Sequence, residues 1–176
     1  MIEESGTLPN VSVQRGTDED LMVMPEGENR ARTIVVTVPI HLDFRDPVGA
    51  MIRNVCARLE ASGRLRAGTG DQVISAFNEA FNNLAIHGAA TVTGEPRCQI
   101  EVEVSVEQLV LRLKDRGRGF DIEAERPDPT VSEPGEGGYG LHIIRSFMSE
   151  VRYMLGVNGE ANVLTMVRGL DAPRRS

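Results

Sequence analysis

Apolar residues recur at helical spacing in two neighbouring stretches of the chain. In RDPVGAMIRNVCARLEASG (residues 45–63), the residues that fall on one helical face are Val48, Met51, Ile52, Val55 and Leu59. In TGDQVISAFNEAFNNLAIHG (residues 69–88), they are Val73, Phe77, Ala80, Phe81 and Leu84. Both stretches therefore predict amphipathic helices, and LHIIRSFMSE (residues 141–150) predicts a third, shorter one.

Residues suited to helix ends flank the two longer patterns. Asp46 can cap the first helix with Pro47 at its first position, and Gly63 suits the residue after its last turn. Thr69 begins a capping-box pattern at the start of the second helix, and Gly88 is a stop signal at its end. These signals predict where each helix begins and ends.

Strand patterns lie on either side of the helices. RTIVVTVPI (residues 32–40) is rich in β-branched residues, and Pro39 within it favours a position at the edge of a sheet. QIEVEVSV (residues 99–106) and LVLRLK (residues 109–114) alternate apolar and polar residues, and only two residues separate them. They predict an antiparallel hairpin with one face on the core.

The order of the elements predicts the fold class. A second hairpin is expected at residues 151–169, where two strand patterns flank Asn158-Gly159, a strong turn signal. Helices and hairpins in this order indicate an α/β (α+β) two-layer sandwich, with the helices on one face of a mainly antiparallel sheet. We expect residues 31–170 to form this domain, with a flexible tail at residues 1–30 and a frayed end at residues 171–176.

Composition and charge narrow the possible partners. The chain has 176 residues, and 19 basic against 26 acidic residues give a net charge of −7, which argues against direct nucleic-acid binding. No apolar run reaches the roughly 18 residues of a membrane span, and the start lacks the pattern of a signal peptide, so we expect a cytoplasmic protein with no membrane contact. Cys56 and Cys98 lack metal-ligand spacing and are expected to be reduced, partly buried thiols.

The second predicted helix carries a polar stripe. Glu79, Asn83 and His87 are spaced four residues apart and so fall on one face. This stripe is open to a second interpretation as a solvated face, although such a face more often uses Lys, Glu, Gln or Arg. A carboxylate beside an amide oxygen also suits proton abstraction and the binding of a hard cation. Asn78 and Asn82 lie off the stripe and are assigned no catalytic role.

Two glycine-rich segments follow, and each is also open to two interpretations. Asp115-x-Gly117-x-Gly119 comes directly after a strand. It is either a turn or a binding site in which the carboxylate of Asp115 accepts a hydrogen bond from a planar amino group of a ligand, such as that of adenine. Gly138 and Gly140 precede a predicted helix. They either have a structural role in the loop or allow phosphate to bind at the helix N-terminus. Neither segment identifies a ligand by itself.

Together the three motifs resemble the Bergerat-type nucleotide-binding fold of the GHKL ATPases. In order, they are similar to its N-box and its two glycine boxes: Glu79-x-x-x-Asn83-x-x-x-His87-Gly88, Asp115-x-Gly117-x-Gly119 and Gly138-x-Gly140-Leu141. Within that superfamily, NEAFNNLAIHG and GYGLHIIRSFMSEVRY most resemble the bacterial anti-sigma factor serine kinases. The resemblance covers roughly residues 33–168.

The resemblance implies a role for each site residue. Glu79 would deprotonate the attacking hydroxyl, Asn83 would hold the Mg²⁺ that bridges the phosphates of ATP, and Asp115 would bind the adenine amino group. The remaining site residues would allow close approach of the nucleotide or supply backbone amides: Gly117, Gly119, Gly138, Gly140 and Leu141. His87 has either a structural role behind the site or a role in it.

The function implied is that of an ATP-dependent serine/threonine protein kinase that is also an anti-sigma factor. Such a protein would bind a sigma factor, phosphorylate a small antagonist protein and form a homodimer. Glu133 and Glu136 depart from the pattern, because related kinases often carry basic or hydroxyl residues there and acids near a triphosphate oppose its binding. The alternative is a nucleotide-dependent binding module without kinase activity. A detached histidine kinase catalytic domain is less favoured, because no helix with a phosphoacceptor histidine precedes the motifs.

Overall fold

Antiparallel strands form one sheet in this protein. The computed structural model describes residues 12–14, 31–88, 95–119 and 139–172, and within them the sheet has six strands in the order β1-β2-β3-β4-β6-β5. The strands are β1 (Ser12–Gln14), β2 (Arg32–Pro39), β3 (Arg97–Val104), β4 (Gln108–Asp115), β5 (Glu150–Met154) and β6 (Asn162–Gly169). Each neighbouring pair is antiparallel, as the alternating patterns predict.

Helices cover one face of this sheet. They are α1 (Arg45–Ala61), α2 (Thr69–Asn83) and α3 (Tyr139–Phe147), and α2 contacts both of the others. Phe77 and Phe81 of α2 are fully buried with ring centroids 5.8 Å apart, an arrangement that adds about 0.5–1.5 kcal/mol beyond burial alone. The predicted α/β two-layer sandwich is therefore confirmed. Among the described residues, no helix has the length and apolar character needed to cross a bilayer.

The sheet meets the helices through rows of paired side chains. One row crosses five strands at Val36, Ile100, Leu113, Leu164 and Tyr153. The first four of these side chains are buried, and they join the buried faces of the helices in one core. This row confirms that the apolar positions of the predicted hairpins face the helices.

The opposite face of the central strands is mainly polar. Arg112 Nη1 lies 2.7 Å from Glu103 Oε2, and Lys114 forms an ion pair with Glu101. Cross-strand pairs of opposite charge of this kind stabilise a sheet modestly. Val110 is an exception on this face, because it is only 1% exposed.

The end of α1 agrees with its sequence signal, whereas its start does not. Gly63 has φ +69°, and the hydrogen bonds from Gly63 N to Glu60 O and from Arg64 N to Leu59 O, both 2.9 Å, make a Schellman motif. α1 begins one residue before Asp46, and no side chain caps it. Asp46 therefore lies in the first turn instead of at the cap.

The predicted capping box at the start of α2 is absent. Thr69 is the first helical residue, and Gly68 with φ +80° precedes it without a side-chain cap. Instead, Gly70 N donates a hydrogen bond of 2.7 Å to Glu60 Oε1 on α1. A carboxylate from the neighbouring helix thus satisfies one of the first amides of α2 and lies at the positive end of its dipole.

β2 is not the edge strand that Pro39 led us to expect. β1 pairs with β2 opposite residues 35–37, so β2 has a neighbour on both sides there. Pro39 is the last residue of β2 and lies beyond the stretch that β1 covers. β1 itself falls within residues 1–30, which were expected to form a tail, and the rest of that segment lies outside the described residues.

Both cysteines are buried and form no disulfide, as expected. Burial is the main cause that raises the pKa of Cys56 to about 11, with a smaller contribution from the negative charge of Glu60. Burial also raises the pKa of Cys98, strongly, with the negative charge of Asp115 adding to the effect. Both thiols are therefore protonated and unreactive at neutral pH.

Candidate nucleotide site

The polar residues of α2 face two different neighbours. Asn82 Oδ1 accepts a hydrogen bond of 3.3 Å from Arg45 Nη1 on α1, and Asn78 also lies against α1. Glu79 and Asn83 lie instead beside α3. Asn78 and Asn82 therefore lie on the side of α2 that faces α1, where Asn82 is hydrogen-bonded, and Asn83 lies with Glu79 on the side that faces α3.

Gly140, near the start of α3, lies directly against Glu79 and Asn83. A Cβ atom on Gly140 would be 3.0 Å from Glu79 Oε2, 3.3 Å from Asn83 Nδ2 and 3.4 Å from Asn83 Oδ1. Contacts this short are rare for a real Cβ atom, so the absence of a side chain keeps the space beside these polar groups open. Glu79, Asn83 and Gly140, which come from two separate predicted motifs, therefore meet in one place.

The first turn of α3 brings backbone amides that have no partner within their own helix to the same place. The first amides of any α-helix have no partner within the helix, and they favour anions. Leu141 is buried and fixes this turn on the core side. Gly138, Glu133 and Glu136 lie outside the described residues.

A π-helical turn, Leu84–Gly88, follows α2 directly. The α-helical spacing that placed His87 on the stripe of Glu79 and Asn83 does not apply within this turn, because a π-helix advances differently per residue. Such turns occur often at functional sites. Glu79 and Asn83 both lie within α2, whereas the side chain of His87 lies outside the described residues, so its place on the stripe stays a prediction.

Asp115 is a buried carboxylate at the end of β4. It is 6% exposed, and its Oδ1 accepts hydrogen bonds from Gly117 N at 2.7 Å and from Asn162 Nδ2 at 3.1 Å. No described residue donates a hydrogen bond to its Oδ2. Within the described part of the chain, the carboxylate is thus held through one oxygen only.

Gly119 adopts a left-handed backbone conformation with φ +73°. A Cβ atom there would lie 2.3 Å from Leu155 Cδ1 and 2.9 Å from Tyr153 Oη. The close approach that glycine permits at this position is therefore to the β5–β6 loop and the end of β5. Arg116 and Arg118, which fill the two x positions of the Asp-x-Gly-x-Gly motif, are exposed.

Asn162 was not among the predicted site residues. It lies opposite Asp115 where β4 pairs with β6, and it is 3% exposed. The alternation along β6 could have identified it from the sequence. Asn162 is two residues before Leu164 and four before Met166, so it points to the same buried face, where an amide is unexpected. A polar residue at such a position has a specific hydrogen-bonding role.

The donor set beside Gly140 fits a magnesium ion that is shared with phosphates. No group of three His, Cys, Asp or Glu residues suited to a metal occurs in the described part of the chain. Mg²⁺ is usually bound through one or two protein oxygens together with substrate phosphates and water. The amide oxygen of Asn83, with the carboxylate of Glu79 nearby, is suited to that mode of binding.

The chain is similar in sequence to known proteins. The model of the histidine kinase-like ATPase domain family matches residues 46–168, a span that contains Glu79, Asn83, Asp115 and Gly140. The chain is 30% identical over 100 residues to the anti-sigma F factor of Pasteuria penetrans and 32% identical over 88 residues to the serine-protein kinase RsbW of Bacillus licheniformis. These alignments cover 55% and 46% of this chain, and 66% and 54% of the two relatives.

The chain therefore matches less than two thirds of the length of each of these curated relatives. Among solved structures, it is similar to the histidine kinase domain of the blue-light activated histidine kinase EL346 from Erythrobacter litoralis. That similarity has a TM-score of 0.45 and 17% identity, and it covers 76% of this chain and 62% of the other.

Proposed function

The chain belongs to the family of histidine kinase-like ATPase domains, and on that premise we propose that it is a Mg²⁺- and ATP-dependent serine/threonine protein kinase that also binds a sigma factor. The observation that supports this most is the meeting of Glu79, Asn83 and Gly140 between α2 and α3. Two similar proteins carry the names anti-sigma F factor and serine-protein kinase. The proposed phosphate acceptor is a small antagonist protein, and the proposed assembly is a homodimer.

In this proposal the nucleotide lies between the two clusters of site residues. Oδ2 of Asp115 would accept a hydrogen bond from the adenine amino group, since Oδ1 is already engaged. The first amides of α3, around Gly140 and Leu141, would donate to the phosphates. Gly117 and Gly119 shape the loop that follows Asp115 and would border the base.

Phosphoryl transfer depends mainly on positioning and on neutralising charge. Mg²⁺ bound at Asn83 would offset the negative charge of the phosphates. Glu79 would accept the proton of a serine hydroxyl while the serine oxygen bonds to the γ-phosphorus. The bond between that phosphorus and the bridging oxygen breaks, and ADP leaves.

A second candidate function is a nucleotide-dependent module that sequesters a partner without transferring phosphate. Glu133 and Glu136 favour it, because two acids just before the second glycine box oppose the approach of a triphosphate. Retention of both Glu79 and Asn83 favours the kinase, because a module that only binds has no need of a base beside its metal ligand.

Incubation of the full chain with Mg²⁺, γ-labelled ATP and a candidate antagonist distinguishes these functions. The kinase predicts label on a serine of the antagonist, and loss of that label in Glu79→Ala. Asn78→Ala is the matched control, because Asn78 neighbours Glu79 in sequence but lies against α1. Binding of nucleotide without transfer would favour the module, and no binding of nucleotide would contradict both.

A further inference from the structure

The side chain of Asn162 uses all of its hydrogen-bonding groups inside the protein. Its Nδ2 donates to Asp115 Oδ1 at 3.1 Å and to Gly117 O at 3.0 Å, so both N–H bonds are used. Its Oδ1 accepts a hydrogen bond of 3.0 Å from Gly156 N. One buried amide therefore joins the end of β4, the loop after it and the β5–β6 loop.

This arrangement restricts what Asp115 can still accept. A carboxylate has two oxygens with about four lone-pair positions in all. Oδ1 already receives Gly117 N and Asn162 Nδ2, whereas Oδ2 receives no hydrogen bond from the described residues. Asn162 and the amide of Gly117 thus fix the orientation of the carboxylate through Oδ1, so that Oδ2 is the oxygen that faces no donor among the described residues.

A single available oxygen discriminates between purines. Adenine presents one exocyclic amino donor, which one carboxylate oxygen can accept. Guanine presents two adjacent donors, N1–H and the 2-amino group, which a carboxylate accepts well only with both oxygens. We propose that Asn162 is a positioning residue that makes Asp115 select adenine over guanine nucleotides. This inference rests on the proposed function, in which Asp115 binds the base.

The test measures the affinities of ADP and GDP for the full chain by calorimetry, so that no turnover interferes. The variants are Asn162→Leu, which is close in size but has no polar group, and Asn162→Ala. Asn158→Gly is the control, because Asn158 is exposed in the same loop and glycine accepts its φ of +55°. Each variant is measured at a temperature where circular dichroism shows it folded.

The wild type and Asn158→Gly are expected to prefer ADP. In Asn162→Leu and Asn162→Ala, the ratio of the GDP to the ADP dissociation constant is expected to fall by about tenfold, since removal of a hydrogen bond to a charged group has an effect of this order. Equal weakening of both nucleotides, with the ratio unchanged, would show a merely structural role and overturn the inference. It would leave the proposed function intact, whereas a wild type that binds neither nucleotide would overturn both.

Discussion

Gly140 lies so close to Glu79 that one added methyl group would touch the carboxylate. The Cβ atom of an alanine at this position would be 3.0 Å from Glu79 Oε2. The contact connects the middle of α2 with the first turn of α3, and Asn83 lies within the same small space. The helix that carries the proposed base and metal ligand thus adjoins the helix end that is suited to phosphate.

Gly140→Ala should separate folding from nucleotide binding. Alanine is a better helix former than glycine by about 1 kcal/mol, which offsets some of the strain from the contact with Glu79. We expect the affinity for Mg-ATP to fall at least about tenfold, because the methyl group occupies the space that phosphate or its metal would use. Calorimetric titration measures the affinity, and thermal unfolding shows that the variant still folds.

Gly49→Ala on α1 is the matched control for this substitution. The atom nearest to its new Cβ would be Asn78 Oδ1 at 3.7 Å, an ordinary contact. We expect Gly49→Ala to bind Mg-ATP as the wild type does and to be at least as stable. Unchanged Mg-ATP affinity in Gly140→Ala would show that the space beside Glu79 is not part of the nucleotide site.

Two adjacent asparagines should respond differently to alanine. Asn83→Ala should remove the dependence of ATP affinity on Mg²⁺, because it removes the proposed metal ligand. Asn82→Ala should keep that dependence and lower the free energy of unfolding by about 0.5–1.5 kcal/mol, because it removes a hydrogen bond to Arg45. ATP titrations with and without Mg²⁺, together with urea unfolding, measure both effects. The same loss of Mg²⁺ dependence in both variants would argue against Asn83 as the ligand.

Glu60 should act as a stabilising residue at a distance from the nucleotide. Glu60→Ala removes the acceptor of Gly70 N and is expected to lower the free energy of unfolding by about 1 kcal/mol, as the loss of a helix cap does. Urea unfolding measures this change, and Mg-ATP affinity should stay the same. A Glu60→Ala variant as stable as the wild type would show that the contact with α2 contributes nothing.

The buried thiols should make stability depend on alkaline pH. In the unfolded chain a cysteine has a pKa of about 8.5, whereas burial raises the pKa of Cys56 in the folded protein to about 11. Between these values the unfolded state releases the thiol proton and the folded state keeps it, so stability falls as pH rises. Urea unfolding at pH 8 and pH 10 measures the fall. Cys56→Ala should make the fall smaller, and an identical pH slope in that variant would contradict this assignment.

Much of this fold was predictable because burial is periodic within each helix and strand. The placement of Glu79 and Asn83 on one stripe follows from their spacing alone. The hydrogen-bond partners of Asp115 and Gly70 cannot be predicted from spacing, because they depend on how separate elements pack. Asn162 reaches Asp115 across 47 positions only because β6 pairs with β4. Glu60 reaches Gly70 only because α1 packs against α2.

The central claim, that this chain binds Mg-ATP with Asp115 at the base, is tested most directly by the effect of Mg-ATP on the melting temperature. With ATP at about 100 times its dissociation constant, binding adds about 2.7 kcal/mol to the free energy of unfolding. For a chain of this size, that corresponds to a rise of roughly 5–10 °C.

Asp115→Asn replaces an acceptor oxygen with a donor of nearly the same shape, and it should abolish this rise. Asp71→Asn, at an exposed position on α2, is the control and should keep it. The account predicts a rise of several degrees in the wild type and in Asp71→Asn, and none in Asp115→Asn. No rise in the wild type at millimolar Mg-ATP would contradict it.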